Sequence, residues 1–346
     1  MIFFAVACAR DKLIRQETSM RLQKRFLFLV CGISLAAAVI PVQASDFPSR
    51  PIKILIGFSA GGSTDAVARY YALKMGEMLK SPVVVENKPG ASQLVAIRGT
   101  TSARPDGYTL FMATGSSLSQ GPGVRTDLPY DPLKDFEFVA LAASAPGAII
   151  ASPRIPAKSI DELLQYGRDN PDKLNYGSSG VGSASHLQIE YLLSVGQSHA
   201  IHIPYKADAE ILNAIAEGSV HFGLGPLQSA VPQILNGKVR GIAITGSQRS
   251  KAIPDVPALS EAKTPGLGGV DPYTYYGLLA PKGTPPDVIA RLNAAVNAVS
   301  RDPEAIKYLQ DKFFDPQVST PESFKKFVTE DIAKWRGFRS KINLAN

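Results

Sequence analysis

The stretch Gly57-Phe58-Ser59-Ala60-Gly61 has the G-x-S-x-G spacing of a nucleophile elbow, where a serine on a tight strand-to-helix turn attacks an acyl group. Its local setting suits that chemistry: residues 51–57 (PIKILIG) read as a buried strand, and a helix begins at Ser63. The wider setting does not. A hydrolase elbow follows several strands, because the serine must stand mid-sheet, whereas Ser59 follows what reads as the first strand. A triad also needs a histidine from among His186, His199, His202 and His221; His202 and His221 lie in apparent strands and His199 just ahead of one. In a chain with 29 glycines, a pattern needing two of them arises readily by chance. A secreted serine hydrolase acting through Ser59 therefore ranks below a binding role.

The same residues suit an anion cradle. Gly61 and Gly62 let the backbone turn tightly and approach a ligand. The helix from Ser63 aims its free N–H groups and positive dipole end outward. Ser59, Ser63 and Thr64 add hydroxyls, and Asp65 in the first turn either complements the dipole or orients a donor in the cleft. A nucleotide phosphate loop is disfavoured, since neither G-K-[ST] nor G-x-G-x-x-G is present. A second strand, Gly/Ser loop and helix start follows at Tyr176-Gly-Ser178-Ser179-Gly180-Val-Gly182-Ser183-Ala-Ser185-His186. Two such loops, one per half of the chain, could grip the two ends of a small anion such as a dicarboxylate. No arginine is obviously placed for this, which favours backbone N–H groups, hydroxyls and bridging water. His186, in the first turn after the loop, reads mainly as structural.

The elements that must position these loops alternate strand and helix. Strands are expected at 51–57, 82–87, 108–114, two between 136 and 152, then 174–180, 202–205, 220–225, 240–245 and 274–281. Helices fall between them and close the chain at 286–310 and 321–342. This alternation predicts right-handed βαβ units and an α/β fold of two lobes with mostly parallel sheets and flanking helices. The chain is expected to cross between lobes near residues 146 and 270. Lobe 1 is then 45–146 with 271–346, lobe 2 is 147–270, and a ligand cleft lies between them.

The N-terminus bounds the compartment. Arg21, Lys24 and Arg25 precede an apolar run from Phe26 to Ile40, and Val42-Gln43-Ala44 fits a small-x-small cleavage rule. The expectation is an upstream extension (1–19), an export leader cleaved after Ala44, and a periplasmic mature chain. No later segment reaches the ~18 apolar residues of a membrane span. Cys8 and Cys31 both fall in the removed part, leaving no thiol for catalysis, disulfide or metal. Residues 1–44 hold six Lys/Arg against two Asp/Glu, so their loss lowers the net charge from +7 to +3. The basic residues are scattered, which argues against nucleic acid. The His and carboxylate spacing supports no metal site, and no cofactor is expected.

FPSRPIKILIGFSAGGSTDAVAR, VVVENKPGA, PDGYTLFMAT, LPYDPLKDF, NPDKLNYGSSGVGSASHL, HIPYK, GKVRGIAITGSQRSKAIPDVPALSEA and YYGLLAPKGTP occur in that order over residues 47–315. Through them the chain resembles the Bug-type periplasmic solute-binding proteins of tripartite tricarboxylate transporters. The resemblance implies a two-lobe periplasmic binding protein of the type II, Venus-flytrap kind without catalysis. It implies a carboxylate ligand, di- or tricarboxylate or aromatic, held largely through water, with membrane transporter subunits as partners and a monomeric receptor. A receptor feeding a sensor rather than a transporter is the alternative. By position it implies ligand contacts from Phe58, Ser59, Ala60, Gly61, Gly62 and Asp65 in the first loop. In the second loop it implies Ser178, Ser179, Gly180, Gly182 and Ser183, with Thr114, Ser116 and Tyr205 also lining the cleft. This chain departs from the family pattern at Ser92-Gln93-Leu94 (commonly Gly-Gly-Asn), in GSSLSQGPG after the third strand, at Leu224-Gly225 (commonly Asp) and at Tyr275 (commonly Trp). Loss of an acidic group near the cleft favours a simple carboxylate over an amino acid.

Overall fold

The computed structural model describes residues 47–206, 208–245, 248–267 and 274–341. The expected leader, its cleavage site after Ala44 and the return crossing near residue 270 lie outside these residues.

Apolar runs form most of the strands, with β-branched residues dense in IKILI and VVVEN. β1 (Ile52–Ile56), β2 (Val83–Asn87), β3 (Thr109–Thr114), β4 (Phe136–Ala145), β10 (Thr274–Pro281) and the two-residue β11 (Asp315–Pro316) make one sheet, in the order β11-β4-β10-β3-β1-β2. β5 (Gly147–Ala151), β6 (Asn175–Ser178), β7 (Ile201–Pro204), β8 (Phe222–Pro226) and β9 (Arg240–Ile244) make the other, in the order β7-β6-β8-β5-β9. Only Pro146 separates β4 from β5, so the chain passes directly from one sheet to the other there. Helices flank both sheets: α1 (Ser63–Leu79), α2 (Leu94–Thr101), α3 (Ile160–Asp169), α4 (Ala184–Val195), α5 (Asp208–Glu217), α6 (Leu227–Leu235), α7 (Pro286–Arg301), α8 (Pro303–Asp311) and α9 (Pro321–Phe338).

The two-lobe α/β architecture agrees with the sequence, but the sheets are mixed rather than mostly parallel. β1 pairs in parallel with β2 and β3, and β6 with β7 and β8, as βαβ units require. β10 runs antiparallel to β3 and β4, and β5 antiparallel to β8 and β9. These are the strands by which the chain enters each sheet from the other, so each starts at the end where its neighbours finish. The geometry leaves the C-terminal ends of β1, β3, β6 and β8 on the sides where the sheets exchange chain, which is where α/β proteins hold ligands.

Apolar faces at helical spacing fix the helices. On α1, Val67, Ala68, Tyr71, Ala72, Met75 and Leu79 are all buried. The last helix serves two cores. Phe324, Val328 and Ile332 of α9 pack with Leu55, Phe111 and Phe138 of the first sheet, with Phe324 lying directly over Gly277 of β10. One turn further on, Trp335 joins Leu187, Tyr191 and Ile149 in a core of the second sheet. The Tyr191 ring stands 5.8 Å from Trp335 and 4.1 Å from Phe338.

Candidate functional site

The first loop begins where β1 ends. A side chain at Gly57 would stand 2.5 Å from Cβ of Gln93, so only glycine admits that approach. The chain turns through Gly61 (φ +88°) with Ser59, Ala60, Gly61 and Gly62 exposed, while Thr64 and Asp65 are buried beneath. Asp65 holds the loop together. Its Oδ2 accepts from the Gly61 N–H (3.0 Å) and Arg69 Nε (2.9 Å), and its Oδ1 from Asn87 Nδ2 (2.9 Å). Asn87 also donates to the Phe58 carbonyl (3.1 Å) and accepts from Arg69. Burial opposes ionisation of Asp65. The hydrogen bonds from Arg69, Gly61 and Asn87 and the Arg69 charge outweigh it, and hold the carboxyl below its usual range. Of the two roles open to Asp65 in the sequence, the geometry shows it fastened within the loop. The helix above it has Gly62 as N-cap, which has no side chain to cap the N–H groups of its first turn.

The second loop follows β6 and is built differently. Gly180 (φ +107°) and Gly182 (φ +76°) turn the chain. The buried Ser178 Oγ meets His202 Nε2 at 2.6 Å and both the N–H and the carbonyl of Gly180 at 3.2 Å. Ser183 caps α4 by accepting from the His186 N–H. Ser185 Oγ gathers the Ser179 N–H and the hydroxyls of Ser179 and Ser183. His186 Nδ1 accepts the Gly182 N–H at 3.1 Å, which puts the proton of the neutral ring on Nε2. That Nε2 has no hydrogen-bond partner among the described residues. The ring stacks on His202 with centroids 4.1 Å apart. Burial, and secondarily His202, lower the His186 pKa to about 4. Tyr205 is tied in by its N–H to the Ser178 carbonyl (2.8 Å), and its ring lies near Gly177.

A third cluster closes the end of β3. Thr114 and Ser116 hydroxyls lie 2.9 Å apart, and Gln93 Nε2 donates to both, at 2.9 and 2.8 Å. Ser116–Gln120 is a π-helical turn, a rare form often found at functional sites. Tyr275 OH reaches Ser119 of that turn at 2.7 Å.

The two loops meet. Ser92 Oγ, on the turn before α2, donates to the Val181 carbonyl of the second loop at 3.1 Å. Arg125 also approaches Gly182, but Asp127 takes its Nε and Nη2 at 3.0 and 2.7 Å. Ser59 is exposed, while His186, His202 and His221 bond within the other half, to Gly182, Ser178 and Asn175. Among the described residues, no group of three or more His, Cys, Asp or Glu could hold a metal, and no helix is long and apolar enough to cross a membrane.

Sequence reasoning placed Thr114 with Ser116, and Ser178 with Ser183 and Tyr205. It missed the supports: Arg69, Asn87, Ser185, His202 and above all Gln93. Arg69 was readable as an i,i+4 partner of Asp65, and Gln93 as a departure from the resemblance; the others are brought in by tertiary pairing.

Residues 67–344 match the family described as the tripartite tricarboxylate transporter family receptor. Protein BugT of Bordetella pertussis is 30% identical over 315 residues, 90% of this chain and 95% of BugT. Among solved structures, MatC of Rhodopseudomonas palustris with bound malate is 32% identical with a TM-score of 0.77, covering 84% of this chain and 99% of MatC. Rpa4515 of R. palustris with adipate is 28% identical with a TM-score of 0.79, covering 85% of this chain and 98% of that one.

Proposed function

Since the chain belongs to the receptors of the tripartite tricarboxylate transporter family, we propose that it is a periplasmic receptor for a small organic carboxylate. It takes the ligand between lobe 1 (45–146 and 271–346) and lobe 2 (147–270) and delivers it to membrane transporter subunits. It is exported with cleavage after Ala44, acts as a monomer and catalyses no reaction. The observation that carries this reading is the Ser92–Val181 hydrogen bond, because it ties the second loop to the turn Ala91–Gln93, which through Gln93 packs on Gly57 at the root of the first loop. The first loop offers backbone N–H groups of Gly62–Asp65 and the positive end of α1 to one carboxylate. In the second loop the Ser179 and Ser183 hydroxyls and the Val181 N–H are offered to the other end, while buried Ser178 and the N–H groups of Gly180, Gly182 and Ser183 hold the loop in shape. Thr114, Ser116 and Tyr205 line the space between. Such a donor-rich, arginine-poor site selects an anion by hydrogen-bond donors and bridging water. The malate of MatC and the adipate of Rpa4515 set the size range. Closure of the lobes by hinge motion would complete the site.

Titration calorimetry against mono-, di- and tricarboxylates, aromatic acids and acidic amino acids tests this. One carboxylate class should bind, and Asp65→Asn and Ser179→Ala should each weaken it at least about tenfold, the loss of one hydrogen bond to a charged group. Binding of no carboxylate, or binding indifferent to both substitutions, would overturn the proposal.

A further inference from the structure

Three consecutive residues before α2, Ala91 (φ +44°), Ser92 (φ +51°) and Gln93 (φ +74°), occupy the left-handed region that glycine takes most readily. Non-glycine residues persist there only when the surroundings hold them. Here the Gln93 side chain does the holding. It is 2% exposed, its Cβ and Cγ lie over Gly57 at the root of the first loop, and its amide reaches Thr114, Ser116 and Ser117 at the end of β3. It therefore fills the space between two segments that the proposed binding mode assigns to the ligand.

The hydrogen bonds say what kind of plug it is. Both Nε2 hydrogens are spent, one on Thr114 and one on Ser116, and Oε1 accepts from Ser117. Thr114 and Ser116 share one further hydrogen bond. Two hydroxyl hydrogens serve that one bond, so one hydroxyl hydrogen is left to offer outward. The cluster thus presents a donor, which suits a carboxylate. The side chain itself, CH2–CH2–CONH2, has the shape and length of the CH2–CH2–COO⁻ end of a straight-chain diacid.

We propose that Gln93 sets the length of ligand the receptor accepts, by occupying with its own side chain the place that the far end of a longer dicarboxylate would take. This rests on the carboxylate-receptor reading above. The space freed by removing the side chain corresponds to two methylenes and a terminal group, and a pocket that loses this bulk admits a longer chain.

The test is calorimetry with the unbranched diacids from succinate to pimelate, on the wild type, Gln93→Gly, Gln93→Asn and Ala91→Gly. The wild type should prefer the short end of the series. Gln93→Gly should raise the affinity ratio of long to short diacid at least about tenfold, the size of change that one or two methylenes of added room make in a binding pocket. Gln93→Asn, one methylene shorter with its amide drawn back toward the backbone, should give an intermediate shift and serves if the glycine variant fails to fold. Ala91→Gly alters the same turn but leaves the amide, and should keep the wild-type ranking. An unchanged ratio in a folded Gln93 variant, or an equal shift in Ala91→Gly, would overturn the inference. A wild type that binds no member of the series would instead overturn the carboxylate reading beneath it.

Discussion

The first loop leaves the start of α1 without a side-chain cap and fastens itself from below with Asp65, Arg69 and Asn87; the second caps α4 with Ser183 and rests on two stacked histidines. One is an open row of backbone donors over an ionised support. The other is a web of hydroxyls over a support that must stay neutral. In the proposed binding mode a ligand with two anionic ends meets two chemistries, and the halves should answer differently to mutation and to pH.

The largest expected effect separates them by acid. His186 has a pKa of about 4 in the folded chain against about 6.5 unfolded, so the unfolded state takes up the proton first. Stability contributed by the neutral ring is intact above pH 6.5 and is lost as pH falls from 6.5 towards 4, by up to about 3 kcal/mol. Protonation at Nδ1 would also cost the Gly182 hydrogen bond. Asp65 is shifted in the same direction, but its contribution is lost only below the usual carboxylate range, at lower pH. Urea unfolding of the wild type and His186→Gln across pH 4–7 should show a steep acid limb that the variant flattens.

Next comes Gly57→Ala, aimed at the first loop alone. Its new methyl would press on the Gln93 backbone as well as its side chain, at 2.7 and 2.5 Å. Overpacking of this kind costs about 1–3 kcal/mol. We expect a lower melting temperature and a loss of ligand binding out of proportion to it; a variant that binds normally would show the Gly57–Gln93 contact to be dispensable.

Ser183→Ala removes the cap of α4 and should cost about 1 kcal/mol, read by chemical denaturation. The converse change, Gly62→Ser, adds a cap to α1. Gly62 has extended backbone and open space around its missing Cβ, so serine fits. Stability should rise by only a few tenths of a kcal/mol, yet affinity should fall, because the new hydroxyl competes for the N–H groups offered to the ligand. Stability and affinity moving in opposite directions would sharpen the contrast between the loops; both rising would erase it.

The strand and helix alternation was legible because β-branched runs and helical spacing are local. So were both Gly/Ser loops, where composition and element boundaries coincide. Sheet direction was not, because β5 and β10 take their orientation from where the chain enters each sheet, which no window of sequence contains. The turn at Ala91–Gln93 was opaque for another reason: Ala-Ser-Gln carries no turn signature, and its left-handed backbone is imposed by Thr114, Ser116 and Ser117 some twenty residues on. Asp65 could be read as a first-turn acid, but Asn87, which completes its fastening, arrives through the β1–β2 pairing.

The chain contains a single tryptophan, Trp335. It is buried where the end of α9 leaves the first sheet's core and enters the second's, against Gly123 and near Tyr191. The receptor therefore carries a native optical gauge at the joint of its two halves. Any motion that parts them changes the surroundings of one indole, so opening and closing can be followed by its emission without attaching a dye.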